Sequence, residues 1–138
     1  MEEEHPWLAV DCIVFDLLDR LLLISRKSEP FQGRFALPGG FVGYGETVEH
    51  AALRELEEET GIKASDIRLV GVYSEPNRDP RRHVVSIAFL VLPDTTDAHA
   101  GDDAATAEFV AGWRSAELAF DHNKILADAC RLRRLIQK

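Results

Sequence analysis

The chain has 138 residues and a formal net charge of −8, with 46% hydrophobic and 29% charged residues. That length suits one domain with a proper core, residues 1–138, and the composition is that of a soluble globular protein. The negative charge has no basic face to offset it, which argues against a nucleic-acid partner. No apolar run approaches the roughly 18 residues of a membrane span.

In chain order, Met1-Glu2-Glu3-Glu4-His5-Pro6 is acidic where a signal peptide would be basic, which argues against secretion. Cys12 and Cys130 form a distant pair without metal-type spacing and read as small buried hydrophobes. Together these features predict a cytoplasmic protein. Residues 8–15 read as a buried strand and 20–25 as its neighbour, joined by a connection over 16–19. Residues 27–34 read as a loop, and 35–37 as a short extended piece before Pro38.

A glycine-rich loop follows, Leu37-Pro38-Gly39-Gly40-Phe41-Val42-Gly43-Tyr44-Gly45. Thr47 is placed to N-cap a helix that Gly61 ends. On that helix Ala52, Leu53, Leu56 and Thr60 form the face that packs on a sheet. Residues 67–74 and 84–92 read as strands joined by a loop over 76–83, and 108–113 as a further strand. Asp121 reads as the cap of a C-terminal helix whose Ile125, Leu126, Ala129, Leu132 and Ile136 make an apolar stripe. Strands alternating with two helices bound the class to α/β or α+β. The chain has no internal repeat and no low-complexity segment.

The first helix carries the most informative pattern. At about 100° per residue, Glu55, Glu58 and Glu59 at i, i+3 and i+4 share one face. Such carboxylates repel by a few tenths of a kcal/mol per pair on an exposed helix. Glu49 and Glu57 add to the acidity, and Arg54 and Lys63 are the nearby cations. A divalent cation turns the repulsion into a site, because Mg²⁺ and Mn²⁺ prefer oxygen ligands and often bring phosphate with them. The bland alternative is a solvated acidic helix, with Arg54 making only an i, i+4 surface pair with Glu58 worth about 0.3–0.5 kcal/mol.

The spacing also resembles a known family. Gly40, five residues, Glu46, seven residues, Arg54-Glu55-Leu56, one residue, Glu58-Glu59, one residue and Gly61-Ile62 match the Nudix box at every defined position. The resemblance implies a Nudix-type α/β/α sandwich with a mixed β-sheet between helices, and a Mg²⁺-dependent pyrophosphohydrolase in which Mn²⁺ also serves. It implies metal ligation by Glu55, Glu58 and Glu59, with the Gly39 carbonyl as an extra ligand. Arg54 would orient a glutamate, Glu46 would pair with Arg54 to brace the loop, and Gly40 would serve its backbone conformation.

The general base stays open between Glu55 or Glu58 in the box and Asp102, Asp103 or Glu108 downstream. Gly101-Asp102-Asp103-Ala104 resembles a segment of ADP-ribose-cleaving members. Those members carry a glutamate shortly afterwards, just before a tryptophan. This chain has Thr106 there, with Glu108 two residues on and Trp113 later.

The segment from Gly71 through Pro76-Asn77-Arg78-Asp79-Pro80-Arg81-Arg82-His83 resembles the strand and loop of ADP-ribose pyrophosphatases. Its prolines stiffen the loop, and Arg78, Arg81 and Arg82 are candidate clamps for phosphate or ribose; the alternative is a rigid charged hairpin without a ligand. Phe120-Asp121-His122 also resembles these members, with His122 read as a helix-start residue. Phe35, with Phe31 and Tyr44, is a candidate to stack on a base or to pack in the core.

The function expected from these features is cleavage of a nucleoside diphosphate linked to another moiety, with ADP-ribose as the best single guess. An acidic chain can bind such a ligand because bound metal dominates locally and distant surface charge is screened beyond about 8 Å. The alternatives are a (d)NTP pyrophosphohydrolase that sanitises nucleotides and a non-catalytic ADP-ribose sensor. The partner is then a small nucleoside diphosphate derivative, and the sequence leaves open whether the chain forms a homodimer.

Overall fold

The computed structural model describes residues 4–101 and 104–137. Its elements are β1 (Trp7–Val14), β2 (Leu21–Arg26), β3 (Phe35–Ala36), β4 (Gly39–Phe41), α1 (Val48–Thr60), β5 (Ala64–Tyr73), β6 (Val84–Pro93), β7 (Ala104–Val110), a 3₁₀ turn (Trp113–Ser115) and α2 (His122–Ile136). A four-stranded mixed sheet runs β4-β1-β6-β5, and a three-stranded antiparallel sheet runs β3-β2-β7. Strand β1 pairs in parallel with β6 from Trp7–Val84 to Val14–Val91 and antiparallel with β4. A bridge between Phe15 and Leu21 links the two sheets.

Pleat parity assigns each strand residue to a helix. Val10, Cys12 and Val14 of β1 point to α1, where they meet Ala51, Ala52 and Leu56. Ile13 and Phe15 point the other way, to Ile125, Leu126 and Ala129 of α2. Successive side chains alternate faces, so a strand covered on both sides is apolar without interruption. This explains why β1 reads as one hydrophobic run, and it yields a sheet core flanked by one helix on each side. Leu56 is fully buried, which contributes about 1.5–3 kcal/mol relative to exposure.

The caps of α1 follow the sequence. Thr47 accepts a hydrogen bond from the His50 N–H through its hydroxyl, and Gly61 closes the helix at φ 75°. Three expectations need correction. The last strand is β7 (Ala104–Val110), earlier than residues 108–113, because pairing along β2 recruits a weakly β-forming Ala-Ala-Thr-Ala run; Trp113 lies in the 3₁₀ turn. Asp121 occupies the N-cap position of α2, yet its side chain makes no capping bond. The apolar stripe of α2 buries Ile125, Leu126 and Ala129, while Ile136 in the final turn is exposed. No helix among the described residues is long and apolar enough to cross a membrane.

Candidate active site

A cleft of about 690 Å³ is lined by Glu55, Glu58 and Glu59 of α1 and by Gly39 and Gly40 of β4. The rest of its lining includes the cations Arg26, Lys27, Arg78 and Arg81, with Phe41, Phe120, Asp11 and His122. Acidic and basic side chains therefore share one concavity.

Arg54 organises the acidic part. Its Nε and Nη2 donate to the two oxygens of Glu46 at 2.6 and 2.8 Å. Its Nη1 donates to Glu55 at 2.8 Å and to Glu58 at 3.0 Å, and Nη2 also donates to the Phe41 carbonyl at 3.1 Å. All five guanidinium N–H groups thus have acceptors, a fork that lysine cannot reproduce. The reading of Arg54 as a simple surface pair is too small for this geometry. Glu46 also accepts from the Gly43 N–H at 2.8 Å and meets His50 Nδ1 at 2.7 Å. Hydrogen bonds from Arg54, then from Gly43, hold its carboxyl down to about 2.

The glycine loop sits against these carboxylates because two of its residues lack Cβ. A Cβ at Gly40 would lie 2.2 Å from Glu55 Oε2, and one at Gly39 would lie 2.1 Å from the Val10 carbonyl. The Gly39 N–H donates to Glu59 Oε1 at 2.9 Å. Two box carboxylates thus converge on one guanidinium nitrogen, and a third is hydrogen-bonded to the loop.

Among the described residues no three carboxylate, imidazole or thiol groups already stand as a cation cluster, since the glutamates are engaged by Arg54 and the loop. The donor chemistry nevertheless fits a hard divalent ion: carboxylate and carbonyl oxygens in one cleft. Glu58, with 60% of its side chain exposed, has room to turn inward. Negative potential reaches the floor beneath: the Cys12 thiol is pushed up by burial first, then by Asp11, Glu59 and Glu55.

On the α2 side of β1 lies a buried polar network. Arg78 grips Asp121 with Nε and Nη2 at 2.8 and 2.7 Å, and its Nη2 stands 3.9 Å from Asp11. Asp11 accepts a short bond from the Ser86 hydroxyl. His122 Nδ1 accepts from the Leu37 N–H at 3.0 Å, so its proton sits on Nε2, 3.4 Å from Asp11 Oδ1. Burial pushes His122 down, more than Asp11 and Asp121 raise it, which keeps the ring neutral. The network joins β1, β6, the loop after β5 and the start of α2 directly beneath Leu37-Pro38-Gly39.

The sequence-predicted site residues are distributed accordingly. Glu55, Glu58, Glu59, Gly39, Gly40, Arg78 and Arg81 line the cleft. Arg78 is committed to Asp121 and braces the wall, with only 5% of its side chain exposed. Arg82 lies off the cleft lining, 3.5 Å above the Trp7 ring, with a bond to the His5 carbonyl. Phe35 packs against the core cluster of β1, β2 and α2, and Tyr44 is fully exposed. Glu108 sits exposed on β7 opposite Leu23, away from the cleft lining. Asp102 and Asp103 lie outside the described residues; just before them the Gly101 N–H donates to the Glu59 carbonyl, fastening that loop to α1. Sequence reasoning missed Asp11, Ser86, Arg26 and Phe120 as site residues; a carboxylate between Val10 and Cys12 in an apolar strand was the available signal.

The NUDIX domain family model matches residues 5–134, and the chain belongs to that family. Its relatives include the ADP-ribose pyrophosphatase of Methanocaldococcus jannaschii, 52% identical over 127 residues that cover 92% of this chain and 75% of that one. A putative 8-oxo-dGTP diphosphatase of Bacillus subtilis is 40% identical over 72 residues, 52% of this chain and 46% of its own. Among solved structures, a MutT/nudix family protein from Enterococcus faecalis superposes with TM-score 0.85 at 32% identity, covering 100% of this chain and 65% of that one. The NUDIX domain of Shewanella oneidensis NrtR, solved with ADP ribose, also superposes with TM-score 0.85 at 26% identity, covering 94% and 89%.

Proposed function

We propose that this Nudix hydrolase cleaves ADP-ribose into AMP and ribose 5-phosphate, using Mg²⁺, with Mn²⁺ as an effective substitute. The observation that carries the reading is the set of three cleft glutamates arranged around Arg54 and the glycine loop. The 52% identity to an archaeal ADP-ribose pyrophosphatase and the likeness to a domain solved with ADP ribose support the substrate. In the reaction, a water oxygen bonds to one phosphorus, the bridging P–O bond breaks, and the second phosphate leaves with its sugar.

Glu55, Glu58 and Glu59 would hold the cation with help from the Gly39 carbonyl. Bound there, a divalent ion neutralises phosphoryl oxygens and acidifies water. Arg54 fixes Glu55 and Glu58 relative to each other and to Glu46, so the carboxylates are positioned before substrate arrives. Glu55 or Glu58 takes the water proton, with Asp102 and Asp103 as the downstream candidates. The basic cleft residues receive the remaining diphosphate charge.

The test is a product panel in Mg²⁺ and in Mn²⁺ across ADP-ribose, sugar nucleotides, dinucleoside polyphosphates and (d)NTPs, resolved by chromatography. ADP-ribose is expected to give AMP and ribose 5-phosphate with the highest kcat/KM. Faster pyrophosphate release from a (d)NTP would replace this reading with a (d)NTP pyrophosphohydrolase that sanitises nucleotides. Binding without turnover of any substrate would mark a sensor.

A further inference from the structure

The last turn of α1 is a poor place for the charges it carries. Glu57, Glu58 and Glu59 crowd the C-terminal end of the helix, and that turn holds no basic residue. Carboxylates there oppose the negative end of the helix dipole. The final carbonyls of a helix also lack intrahelical donors, and such an end frays when nothing holds it. Two of the three residues read as metal ligands stand on this turn.

The connection that follows β6 supplies what the turn lacks. The Asp94 N–H donates to the Lys63 carbonyl at 2.7 Å, which brings the chain back to the end of α1. The His99 N–H then donates to the Thr60 carbonyl and the Gly101 N–H to the Glu59 carbonyl, each at 2.8 Å. With the Gly61 N–H on the Glu57 carbonyl, also at 2.8 Å, three of the last four carbonyls are capped. Ala98 packs against the core cluster of α1, which anchors the connection. The His99 imidazole covers Gly61 so closely that a Cβ there would overlap it.

The fourth carbonyl, that of Glu58, lies against Gly101. A Cβ on Gly101 would overlap its oxygen and stand 3.2 Å from the Glu59 Cα, and both obstacles are backbone. Gly101 does not have a positive φ, so close approach of two chains is what glycine provides here. The side chains inherit the backbone so fixed: Glu59 Oε1 accepts from the Gly39 N–H at 2.9 Å, and Glu58 Oε2 from Arg54 at 3.0 Å. A shift of the turn moves both carboxylates relative to Glu55, one turn earlier.

We propose that Gly101 and His99 are positioning residues for the metal site. By capping the last turn of α1 they hold Glu58 and Glu59 in register with Glu55 and the glycine loop for a hard divalent cation. The assignment rests on reading those glutamates as metal ligands, and it does not depend on which substrate is cleaved.

The test is Mn²⁺ titration of the full chain without substrate, followed by the electron paramagnetic resonance signal of the free ion, with hydrogen exchange of the α1 amides alongside. Gly101→Ala should weaken Mn²⁺ binding about tenfold, the scale on which outer supports of metal ligands act, and should speed exchange in the last turn of α1. His99→Ala keeps its N–H but loses the ring against Gly61, and should weaken binding severalfold. Ile125→Val removes buried volume in the α2 core on the other side of the sheet. It should lower the melting temperature and leave Mn²⁺ binding unchanged. Circular dichroism verifies folding, and His99→Ala carries the test if Gly101→Ala does not fold. Unchanged Mn²⁺ affinity in the folded Gly101 and His99 variants, or an equal loss in Ile125→Val, would overturn the positioning role and leave the metal reading standing. Wild type that binds no Mn²⁺ at millimolar concentration would overturn both.

Discussion

The α1 glutamates and the network around Asp11 are both charged clusters against the same glycine-rich turn, yet they sit in opposite physical regimes. Glu58 is 60% exposed in its side chain, Arg54 ties Glu55 and Glu46 to it, and Glu59 is held separately by the Gly39 N–H. Arg78 is 5% exposed in its side chain, and Asp11, Ser86 and His122 are buried with it. Water screens Glu58, so losing that member costs little stability. The second cluster has no solvent to fall back on, so removing one partner strands a buried charge. One cluster is thus disposed to do chemistry and the other to hold the shape in which it happens.

The largest expected stability effect comes from breaking the buried side. Arg78→Met leaves Asp121 and Asp11 without their cation, and should cost about 3 kcal/mol. For a chain of this size that lowers the melting temperature by roughly 10 °C, measured by thermal denaturation. A shift within 2–3 °C, roughly 1 kcal/mol on the same scale, would show that water reaches the network.

Adjacent glycines sharpen the contrast. In Gly39→Ala the new methyl meets the Val10 carbonyl, so β1 and β4 must separate and stability should fall by about 1–3 kcal/mol. In Gly40→Ala it meets the Glu55 carboxylate, a movable group, so the loss should appear as about a tenfold drop in kcat with a smaller change in melting temperature. Equal effects of both substitutions on both observables would erase the distinction.

The smallest effect concerns pH. The Glu46 carboxyl is held near 2, against an ordinary 4.5, by Arg54 and Gly43. The unfolded chain therefore binds the extra proton between these values, and stability rises with pH across that window. The contribution is fully present above about 4.5 and fades as pH falls toward 2. Glu46→Gln should flatten this part of the stability profile, read from denaturant midpoints at several pH values. An unchanged slope would assign the acid sensitivity to other carboxylates.

The acidic cluster was legible in the sequence because its spacing is local: Glu55, Glu58 and Glu59 share a face by helical geometry alone, and Thr47 and Gly61 bound that helix by their own backbone chemistry. The buried network was not, because its members come from β1, β6, the loop after β5 and the start of α2. Arg78 and Asp121 each stood in a recognisable segment, but their pairing across 43 residues depends on how β5, β6 and α2 pack. Asp121 had the identity of a cap, and the bidentate bond to Arg78 outcompeted that local use. Phe35 reads as a site residue from its nearness to the box and Arg82 from a loop that resembles that of ADP-ribose pyrophosphatases, whereas strand pleat sends the first into the core and cation–π stacking holds the second on Trp7. Tertiary pairing also set the true limits of β7, against the weak strand propensity of its alanines.

The most direct test of the central claim is turnover of ADP-ribose in Mg²⁺ by wild type beside a Glu58→Gln/Glu59→Gln variant, with products identified by chromatography and folding followed by melting temperature. The account predicts AMP and ribose 5-phosphate from wild type. From the variant it predicts a kcat lower by a hundredfold or more, on the order of 3 kcal/mol in the barrier, at nearly unchanged stability. Near-wild-type turnover by a folded variant would contradict it.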